Sequence, residues 1–365
     1  MRYEPFAERR ATPGLTSRAL AHVQAWAEIG EAATLPTQHP DFGQAAAQAL
    51  LPSTPLILVE QSGPAGCEAM APLVRDRGRL ARWRLLGDRE VHEPGAPLVR
   101  DAEAAARLAE ALCALERPVE LARVPLDSPI VAALREAAPA CGTLIVREAD
   151  PCPFLALDAG WSEAESQFSS RRRSDFRRAQ RKAEALGEVS YAMHRPTPVE
   201  FDGLFAEAIA VEAKSWKRAA GTAILCDPEK ERFFRSYLRA CAERGETRVA
   251  AMRIDGTMVA MQLAVAWRGR YWLYKIGFDE DVAKCSPGTL LMLHALGEAA
   301  REGLTGFEMM GETDSWISDF WTREAHPCVR LRFYPRTLAG FAGLVQDGIG
   351  WTRAKVFQGR RPHQS

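Results

Sequence analysis

Hydrophobic and polar positions follow one another differently in the two halves of this chain. The first half alternates short apolar runs, which predict strands, with segments of three- and four-residue apolar spacing, which predict helices. We predict strands at 55–60, 69–74, 80–86, 119–124 and 143–146, and helices at 101–115 and 129–138. The turn-forming run Asp150-Pro-Cys-Pro153 predicts the end of this mixed α/β half.

The second half gives a clearer order of elements. Its patterns predict helices at 162–186, 198–216, 228–243 and 287–302, strands at 248–254, 258–266, 271–278, 306–310 and 329–334, and a C-terminal helical stretch. Asp255-Gly256 lies between two of the strands and is a strong hairpin signal. Three meander strands, one apolar helix and a further strand form an α+β or mixed-sheet layout, unlike the repeating βαβ of a dinucleotide-binding fold.

Composition and charge narrow the class of protein. With 365 residues, 47% hydrophobic and 26% charged, the chain is expected to be globular with about two domains. It has 47 Lys+Arg and 47 Asp+Glu, so the net charge of zero indicates no particular partner. The cations nevertheless concentrate in 169–186 and 330–365, which predicts either contacts with anionic groups or ordinary solvated helix faces.

The eight cysteines indicate a reducing compartment and no metal site, because they form no C-x-x-C pair and no Cys/His cluster with metal-ligand spacing. The N-terminal residues do not resemble a secretory leader, and no apolar run approaches the roughly 18 residues that span a bilayer. We therefore expect a cytoplasmic protein that contacts a membrane, if at all, from one side.

The segment Ser286-Pro-Gly-Thr-Leu-Leu291 begins the helix that follows the meander. Ser286 suits the N-cap, and Pro287 suits the first helical position, where a missing N–H is harmless. Gly288 leaves the backbone open beside the unpaired N–H groups of the first turn. Such a helix start can hold an anion such as pyrophosphate, and a capped helix without a ligand is the alternative.

Several polar residues lie inside apolar elements and are candidates for chemistry. Glu212 shares a helix face with Phe201, Phe205, Ala208 and Trp216. Its carboxylate is expected to be either ion-paired, with Lys214, Lys217 or the basic helix, or catalytic. His294 lies in the apolar helix 287–302 and is expected to be a hydrogen-bonded core histidine rather than a base.

Charged residues also occupy two predicted strands and the loop after the second. Lys275 is expected on the strand face that carries Tyr271 and Leu273, and Glu308 lies mid-strand with Glu312 soon after it. Charged groups in central strands usually pair or face a cleft. A Lys275–Glu308 or Lys275–Glu312 ion pair and a substrate-facing pair are therefore the alternatives.

Four motifs together resemble those of one family of enzymes. They are Ser169-Ser-Arg-Arg-Arg-Ser-Asp-Phe-Arg-Arg-Ala-Gln-Arg-Lys182, Glu212-Ala-Lys-Ser-Trp-Lys217, Phe278-Asp-Glu with Ser286-Pro-Gly-Thr-Leu-Leu291, and Phe307-Glu-Met-Met-Gly-Glu312. In these motifs the chain is similar to the GNAT-type acyltransferases of the cellulose-biosynthesis class, which are relatives of Fem-type peptidyltransferases. The resemblance is firm over 154–334 and weaker before it. Phe307-Glu308 and Ser315-Trp316 stand where many relatives have Asp-Phe and Tyr-Lys, so a different acceptor pocket is expected.

The resemblance implies an α+β fold of two GNAT-like subdomains in tandem, with mixed sheets flanked by helices. These subdomains would span 1–153 and 154–335, followed by a basic amphipathic tail at 336–365. The resemblance also implies a coenzyme A thioester as co-substrate, without a metal. The thioester would bind in the second subdomain at Ser286, Gly288, Thr289 and Leu290.

The reaction that the resemblance implies is direct acyl transfer. An amine, deprotonated by a carboxylate or through water, attacks the thioester carbonyl, backbone N–H groups stabilise the oxyanion, and the thiol leaves. Glu308 or Glu312 is the expected base and Glu212 the second choice, with Lys275 as a further catalytic candidate. The expected substrate contacts are Trp216, Lys217, Tyr274 and Trp316.

The C-terminal stretch indicates a class of acceptor. Apolar residues recur there at helical steps, and basic residues cluster at one end: Leu338, Phe341, Val345, Ile349 and Val356, with Arg353, Lys355, Arg360 and Arg361. This pattern is typical of a helix on an anionic membrane surface, and a helix packed on the protein body is the alternative. The first case predicts peripheral contact with the inner membrane and an amine-bearing lipid as acceptor. The enzyme would then be similar to bacterial ceramide synthases, which N-acylate a sphingoid base.

Other functions fit the same residues. A sugar amine or hydroxyl of an exopolysaccharide or of the cell envelope is the alternative acceptor. A Fem-like enzyme that draws on aminoacyl-tRNA would use the basic patch 169–182 to hold RNA phosphates. The chain shows no long heptad hairpin of the kind that Fem relatives insert, so no nucleic-acid partner is expected. A non-catalytic binding module of the same fold is the third alternative.

Overall fold

The computed structural model describes residues 25–64, 66–76, 78, 80–311 and 315–358, with 216, 219, 315 and 350–358 described through the backbone alone. The chain forms two compact units. The first unit takes its described residues from Met1–Gly43, Leu51–Asp150 and Pro327–Ser365. The second unit consists of the described residues of Gln44–Leu50 and Pro151–His326.

Every predicted strand is present, and the described residues contain two further strands, β4 and β7, that were not predicted. The strands are β1 Leu56–Gly63, β2 Gly66–Arg75, β3 Trp83–Leu85, β4 Leu98–Val99, β5 Val119–Pro125, β6 Gly142–Ala156, β7 Val189–His194, β8 Thr247–Ile254, β9 Thr257–Trp267, β10 Arg270–Phe278, β11 Gly306–Glu308 and β12 Ala325–Pro335. The turn Asp255-Gly256 joins β8 and β9 with positive φ at both residues (48° and 76°), as its sequence predicts.

The predicted helices are also present, together with short ones that carry no clear sequence signal. The α-helices are α1 Pro40–Ala45, α2 Asp88–Val91, α3 Ala102–Cys113, α4 Pro129–Cys141, α5 Ser170–Glu184, α6 Pro198–Glu212, α7 Trp216–Ala219, α8 Pro228–Glu243, α9 Pro287–Arg301, α10 Ser315–Ser318 and α11 Leu338–Gln358. Shorter 3₁₀ or π segments are Gly30–Ala32, Pro36–Gln38, Ala46–Leu50, Ala159–Gln167, Ile224–Cys226 and Glu280–Cys285. Within the described ranges, no helix has the length and apolar composition needed to cross a bilayer.

Two predicted helices are shorter than expected, each for a local reason. The helix predicted at 162–186 is broken at Ser169, whose backbone is extended and whose hydroxyl accepts a hydrogen bond from the Arg172 N–H at 3.4 Å. The helix predicted at 198–216 ends at Glu212, because the next residues turn and the Ser215 hydroxyl donates to the Glu212 carbonyl at 2.7 Å. Residues 216–219 then form a separate short helix, α7.

The run Asp150-Pro-Cys-Pro153 was predicted to end the first half of the chain, and the boundary between the two units falls inside it, although no element ends there. It lies inside β6, which continues to Ala156. A strand can contain these prolines because their carbonyls still accept hydrogen bonds. The Pro153 carbonyl accepts one from the Met309 N–H at 3.0 Å.

Each unit contains a similar mixed arrangement of strands. In the first unit, β2 pairs antiparallel with β1 on one side and with β3 on the other. Strands β3 and β5 are parallel, and α3 lies between them in sequence. Strand β12 pairs antiparallel with β5. In the second unit, β8, β9 and β10 form an antiparallel meander. Strands β10 and β11 are parallel, and α9 lies between them in sequence. Strand β6 pairs antiparallel with β11. The α+β layout is confirmed.

The division into units differs from the expected subdomain boundaries at three places. Residues 44–50 and 151–153, expected in the first subdomain, are assigned to the second unit, and the residues from 327 onward are assigned to the first. Residues 327–335 were expected in the second subdomain, but they lie in the first unit because β12 pairs with β5 there. The segment from 336 onward, expected as a separate tail, is assigned to the same unit.

Both faces of the second unit's sheet are covered by helices. On one face α9 buries Leu291 and Ala295 against Tyr271, Leu273 and neighbouring residues of the same core cluster. Helices α6 and α8 pack on the strands as well, and Tyr237 of α8 meets Tyr274 of β10 edge-on, with ring centroids 5.6 Å apart. Strand β10 is therefore fixed between two apolar layers.

Candidate active site

Strands β10 and β11 run together briefly and then part. Their parallel register covers Arg270–Gly306, Tyr271–Phe307 and Trp272–Glu308. Beyond this last pair β10 continues to Phe278, still paired on its other side with β9, while β11 ends. The chain leaves β11 through Met310 and Gly311, both with positive φ. In the described residues, the edge of β10 from 273 to 278 thus has no partner strand on the β11 side.

Helix α9 begins beside the far end of this gap. A Cβ added at Gly288 would lie 3.3 Å from a ring carbon of Phe278, the last residue of β10. Pro287 occupies the first helical position as predicted. The parted strands and the open helix start are therefore neighbours, and the first-turn N–H groups with the helix dipole make this end favourable for an anion.

Ser286 occupies the predicted N-cap position but does not cap the helix with its side chain. Ser286 has a left-handed backbone (φ 52°, ψ 52°), and its side chain makes no capping hydrogen bond, because the usual cap geometry requires an extended backbone. Its carbonyl accepts instead from the N–H groups of Thr289, at 3.0 Å, and Leu290, at 3.2 Å. The Leu290 side chain is buried and belongs to the core cluster.

Glu308 lies at the point where the strands part, and its partners differ from the predicted one. It is 2% exposed and is hydrogen-bonded to Arg270. Its Oε2 lies 3.2 Å from Nε2 of His326, whose ring stacks on Phe154 with centroids 4.0 Å apart. Glu308 therefore pairs with Arg270 and His326 and not with Lys275, while the alternative pair Lys275–Glu312 involves a residue outside the described ranges. His326 was not predicted as a site residue, because its contact with Glu308 depends on how distant segments pack and leaves no spacing signal in the sequence.

Lys275 is on the other side of β10 from the face predicted for it. Its Nζ lies 5.0 Å from the ring centroid of Phe234 in α8. The register between β10 and β9 shifts between Leu273 and Lys275, and this irregularity reverses the alternation on which the prediction relied. Tyr274 is buried next to it, with its hydroxyl 3.2 Å from that of Tyr237.

Glu212 and Lys217 hold a loop against β10. The Glu212 carboxylate, 1% exposed, accepts from the Ile224 N–H at 2.9 Å and lies 3.4 Å from the Lys217 Nζ. Lys217 also donates to the Ile276 carbonyl at 2.5 Å. A Cβ at Gly277 would lie 2.7 Å from the Glu212 Cα, so only glycine fits where the end of α6 crosses the strand. These contacts match the ion-pair alternative for Glu212.

The structure describes the remaining predicted site residues only in part. Glu312 lies outside the described residues, and Trp216 is described by its backbone in α7. Trp316 is exposed in the short helix α10. Within the described residues, His294 Nε2 is buried without a hydrogen-bond partner, so the hydrogen-bonded role predicted for His294 is wrong at that atom. Among the residues that the structure describes, no group of three or more His, Cys, Asp and Glu could hold a metal ion.

Residues 170–318, which contain the parted strands and the start of α9, match the family described as an acetyltransferase (GNAT) domain. The protein is an acyltransferase, and its α+β fold is GNAT-like, with a mixed sheet and flanking helices, as predicted.

Solved structures show the same fold over most of the chain. The C-terminal domain of a candidate lysylphosphatidylglycerol synthetase from Agrobacterium fabrum superposes with a TM-score of 0.55 at 12% identity, covering 89% of this chain and 95% of that one. FemX gives 0.55 at 11% identity, with coverages of 85% and 94%. A Bacteroides thetaiotaomicron protein of unknown function gives 0.51 at 12% identity, with coverages of 80% and 90%. No curated protein sequence matches significantly.

Proposed function

We propose that this acyltransferase moves an acyl group from a coenzyme A thioester to an amine, and that the amine belongs to a lipid. The observation that carries the proposal is the parting of β10 and β11 beside the open start of α9. The acceptor class has separate support, from the surface of α11.

Two neighbouring features can bind the coenzyme A thioester: the edge of β10 beyond its last pair with β11, and the start of α9. The edge of β10 from 273 to 278, which has no partner strand on this side, is about 20 Å long at the usual strand rise. Its backbone groups, except the Ile276 carbonyl that accepts from Lys217, can hydrogen-bond an extended chain that contains amides. The pantetheine arm of coenzyme A is such a chain. The pyrophosphate would lie at the first turn of α9, near Gly288 and Thr289, which keeps the donor assignment of the sequence analysis.

We propose the Glu308–His326 pair as the proton acceptor of the reaction. Because the buried Glu308 carboxylate is already held by Arg270 and lies beside the His326 ring, it is well placed to orient that imidazole. His326 would take the proton as the amine nitrogen bonds to the thioester carbon, and the C–S bond then breaks to release the thiol. Glu312 is the second candidate for the base. Glu212 is disfavoured, because its oxygens already hold the 213–226 loop.

The apolar stripe of α11 supports a lipid acceptor. Leu338 is 91% and Phe341 69% exposed, and Val345 and Ile349 continue the same stripe. The helix is nevertheless anchored within the first unit, since Asp347 on α11 forms an ion pair with Arg82 at 3.0 Å. An anchored helix with an apolar outer face is suited to lie on a membrane surface, which is where an amino-lipid such as a sphingoid base would be found. A cell-envelope sugar is the alternative acceptor.

A second candidate, transfer from aminoacyl-tRNA, is favoured by one observation. Helix α5 carries the cations of 171–182 along an exposed surface, where they could bind RNA phosphates. Thermal stabilisation of the full chain separates the donors. A shift in Tm with acyl-CoA but not with tRNA supports the first proposal, and a shift with tRNA alone replaces it.

Mass spectrometry then tests the acceptor. The chain would be incubated with acyl-CoA and either a sphingoid base or an amino sugar. N-acylated base supports the lipid assignment, and N-acylated sugar alone overturns it.

A further inference from the structure

Two large aromatic side chains are exposed on the connection between β11 and β12. Trp316 is 38% and Phe320 is 41% exposed, whereas Ile317 and Trp321 beside them are buried. A single exposed apolar side chain is common on a protein surface, but two aromatic ones only four positions apart and rimmed by charged groups indicate an interaction surface. The chemistry of the partner follows from the residues around this pair.

The exposed pair belongs to one surface with helix α5. The Arg172 guanidinium of α5 lies 4.0 Å from the centroid of the Phe320 ring and donates to two backbone carbonyls of the same segment, at 2.5 and 3.2 Å. Beneath them the Phe168 ring stands edge-on to Trp321 and to Phe176 of α5, with centroids 5.7 and 5.3 Å away. Cation–π, hydrogen-bond and aromatic contacts therefore hold the exposed pair beside the helix.

The outer face of α5 is basic. Its exposed cations are Arg171, Arg177, Arg178, Arg181 and Lys182. Arg177 is paired with Glu165 at 3.3 Å, and Arg178 is paired with Asp175 at 2.8 Å. Within the described ranges the other two arginines form no ion pair, and Lys182 donates only to a backbone carbonyl, at 3.4 Å. At about 100° per residue these three cations fall on one side of the helix, where they are available to anions outside the protein.

The connection that carries the exposed pair also joins the two residues of the proposed proton acceptor. Glu308 ends β11 before it, and His326 follows it at the start of β12. The Phe154 N–H donates to the Glu324 carbonyl at 3.1 Å, and the His326 ring stacks on the same Phe154. Phe320 precedes His326 by six residues, which span at most about 20 Å. A partner bound at Phe320 is therefore held within about the length of one lipid chain of the site.

We propose that α5 and the exposed pair dock on an anionic phospholipid membrane and present the amine of a membrane lipid to His326. The three available cations of α5 bind the phosphates, and Trp316 and Phe320 enter the boundary between headgroups and acyl chains, where aromatic side chains are favoured. RNA phosphates would also suit the cations, but Arg172 already covers one face of the Phe320 ring, which favours acyl chains over a stacked base. The inference rests on the proposed function and deepens it, because it names the face through which the lipid acceptor enters.

Hydrogen exchange of the full chain with and without vesicles locates the contact. The vesicles contain phosphatidylglycerol and phosphatidylcholine, and vesicles of phosphatidylcholine alone are the neutral reference. We expect slower exchange at 170–184 and 315–321 with the anionic vesicles and no change with the neutral ones. Because exchange is measured segment by segment, this result is separate from binding through α11. Unchanged exchange in both segments with anionic vesicles present overturns the inference.

Two variants measure the contributions of charge and of the aromatic contact to vesicle affinity. R171Q/R181Q should bind anionic vesicles roughly 30-fold more weakly at low salt, or about 5-fold for each arginine near the surface, and this loss should disappear at high salt. Phe320→Ser should bind roughly 10-fold more weakly at both salt concentrations, because the lost contact is apolar. The matched control is R135Q/R232Q, which removes two exposed arginines of α4 and α8 and should stay within about 2-fold of wild type.

The inference is overturned if either variant binds anionic vesicles as wild type does. It is also overturned if R171Q/R181Q loses affinity for tRNA and not for vesicles, which would assign α5 to RNA. Release of free thiol from acyl-CoA with a dissolved short-chain amine distinguishes a failure of docking from a failure of the proposed function. A wild type that acylates the dissolved amine without docking through this surface disproves the docking alone. A wild type that acylates neither a dissolved nor a vesicle-borne amine disproves the proposed function.

Discussion

Glu308 Oε2 lies 3.2 Å from His326 Nε2, at the last register pair before β10 and β11 part. A buried carboxylate that orients a half-buried imidazole is a common arrangement for moving a proton. Arg270 completes the set by pairing with the same carboxylate. The three residues are brought together by strands and loops far apart in sequence, and they define the point at which acyl transfer is proposed to occur.

We expect His326→Gln and Glu308→Gln each to lower kcat by roughly 10²-fold, because each removes part of the proton acceptor while keeping the side-chain volume. The double variant should be little worse than either single one, since the residues act as a unit. Release of free thiol at saturating acyl-CoA and amine measures the rate. Glu229→Gln, an exposed carboxylate in the first turn of α8, is the control and should be as active as wild type. Wild-type turnover in both site variants would transfer the role to Glu312.

The helix start gives a second prediction. Gly288→Asp places a negative charge among the N–H groups that would hold pyrophosphate, so acyl-CoA binding should be lost while circular dichroism stays unchanged. Gly288→Ala is the matched variant. Its Cβ would meet Phe278 at 3.3 Å, a contact that a small shift of the ring can relieve, so most of the affinity should remain. Unchanged coenzyme A affinity in a folded Gly288→Asp protein would contradict the donor assignment.

Acid should weaken the anchor of α11. Burial raises the pKa of Asp347, but the Tyr334 hydroxyl and Arg82 lower it, and the net pKa is below the usual value of 3.8. A carboxylate whose pKa is lowered on folding stabilises the protein above its ordinary pKa, and this contribution is lost as the pH falls through the lowered one. We therefore expect Asp347→Asn to cost about 1–3 kcal/mol at pH 7 and progressively less below about pH 4.

Urea unfolding at several pH values measures that difference. Asp175→Asn is the control, because Asp175 forms an exposed pair with Arg178 and should cost less than about 0.5 kcal/mol at any pH. A stability gap for Asp347→Asn that stays constant from pH 7 to pH 3 would show that the ion pair with Arg82 does not anchor the helix.

Local signals explain which elements could be predicted from the sequence. Helix α8 has its predicted bounds because Asp227 caps it and Pro228 begins it, and both signals lie within the segment itself. The β8–β9 turn was predicted correctly because few residues besides glycine and Asp or Asn tolerate its positive φ angles. Ser169 carried the signal for a helix start, but the continuous charge pattern around it concealed the break.

Only the part of the candidate site that lies within one continuous segment could be predicted from the sequence. The start of α9 is one continuous segment, so Pro287 and Gly288 were recognisable from the sequence. The partners of Glu308 depend on strand register and on the packing of a residue 18 positions later, and no spacing reveals them. Lys275 was assigned to the wrong face because the irregularity after Leu273 changes the period-two alternation, and nothing in the sequence marks it.

The last prediction concerns the membrane. If the exposed stripe of α11 binds lipid, replacing Leu338 and Phe341 with Asp should remove the protein from anionic liposomes, since each change puts a charge into the apolar layer. The rest of the helix stays anchored through Asp347, so the fold should be retained.

Flotation on phosphatidylglycerol-containing vesicles at low salt measures the bound fraction. Val199→Asp is the matched control, because Val199 is 87% exposed but lies in the first turn of α6, outside the stripe. We expect wild type and Val199→Asp to float and L338D/F341D to stay in the soluble fraction. Equal recovery of all three in the soluble fraction would remove the support for a lipid acceptor and favour a cell-envelope sugar, while the acyltransferase assignment, which rests on β10, β11 and α9, would stand.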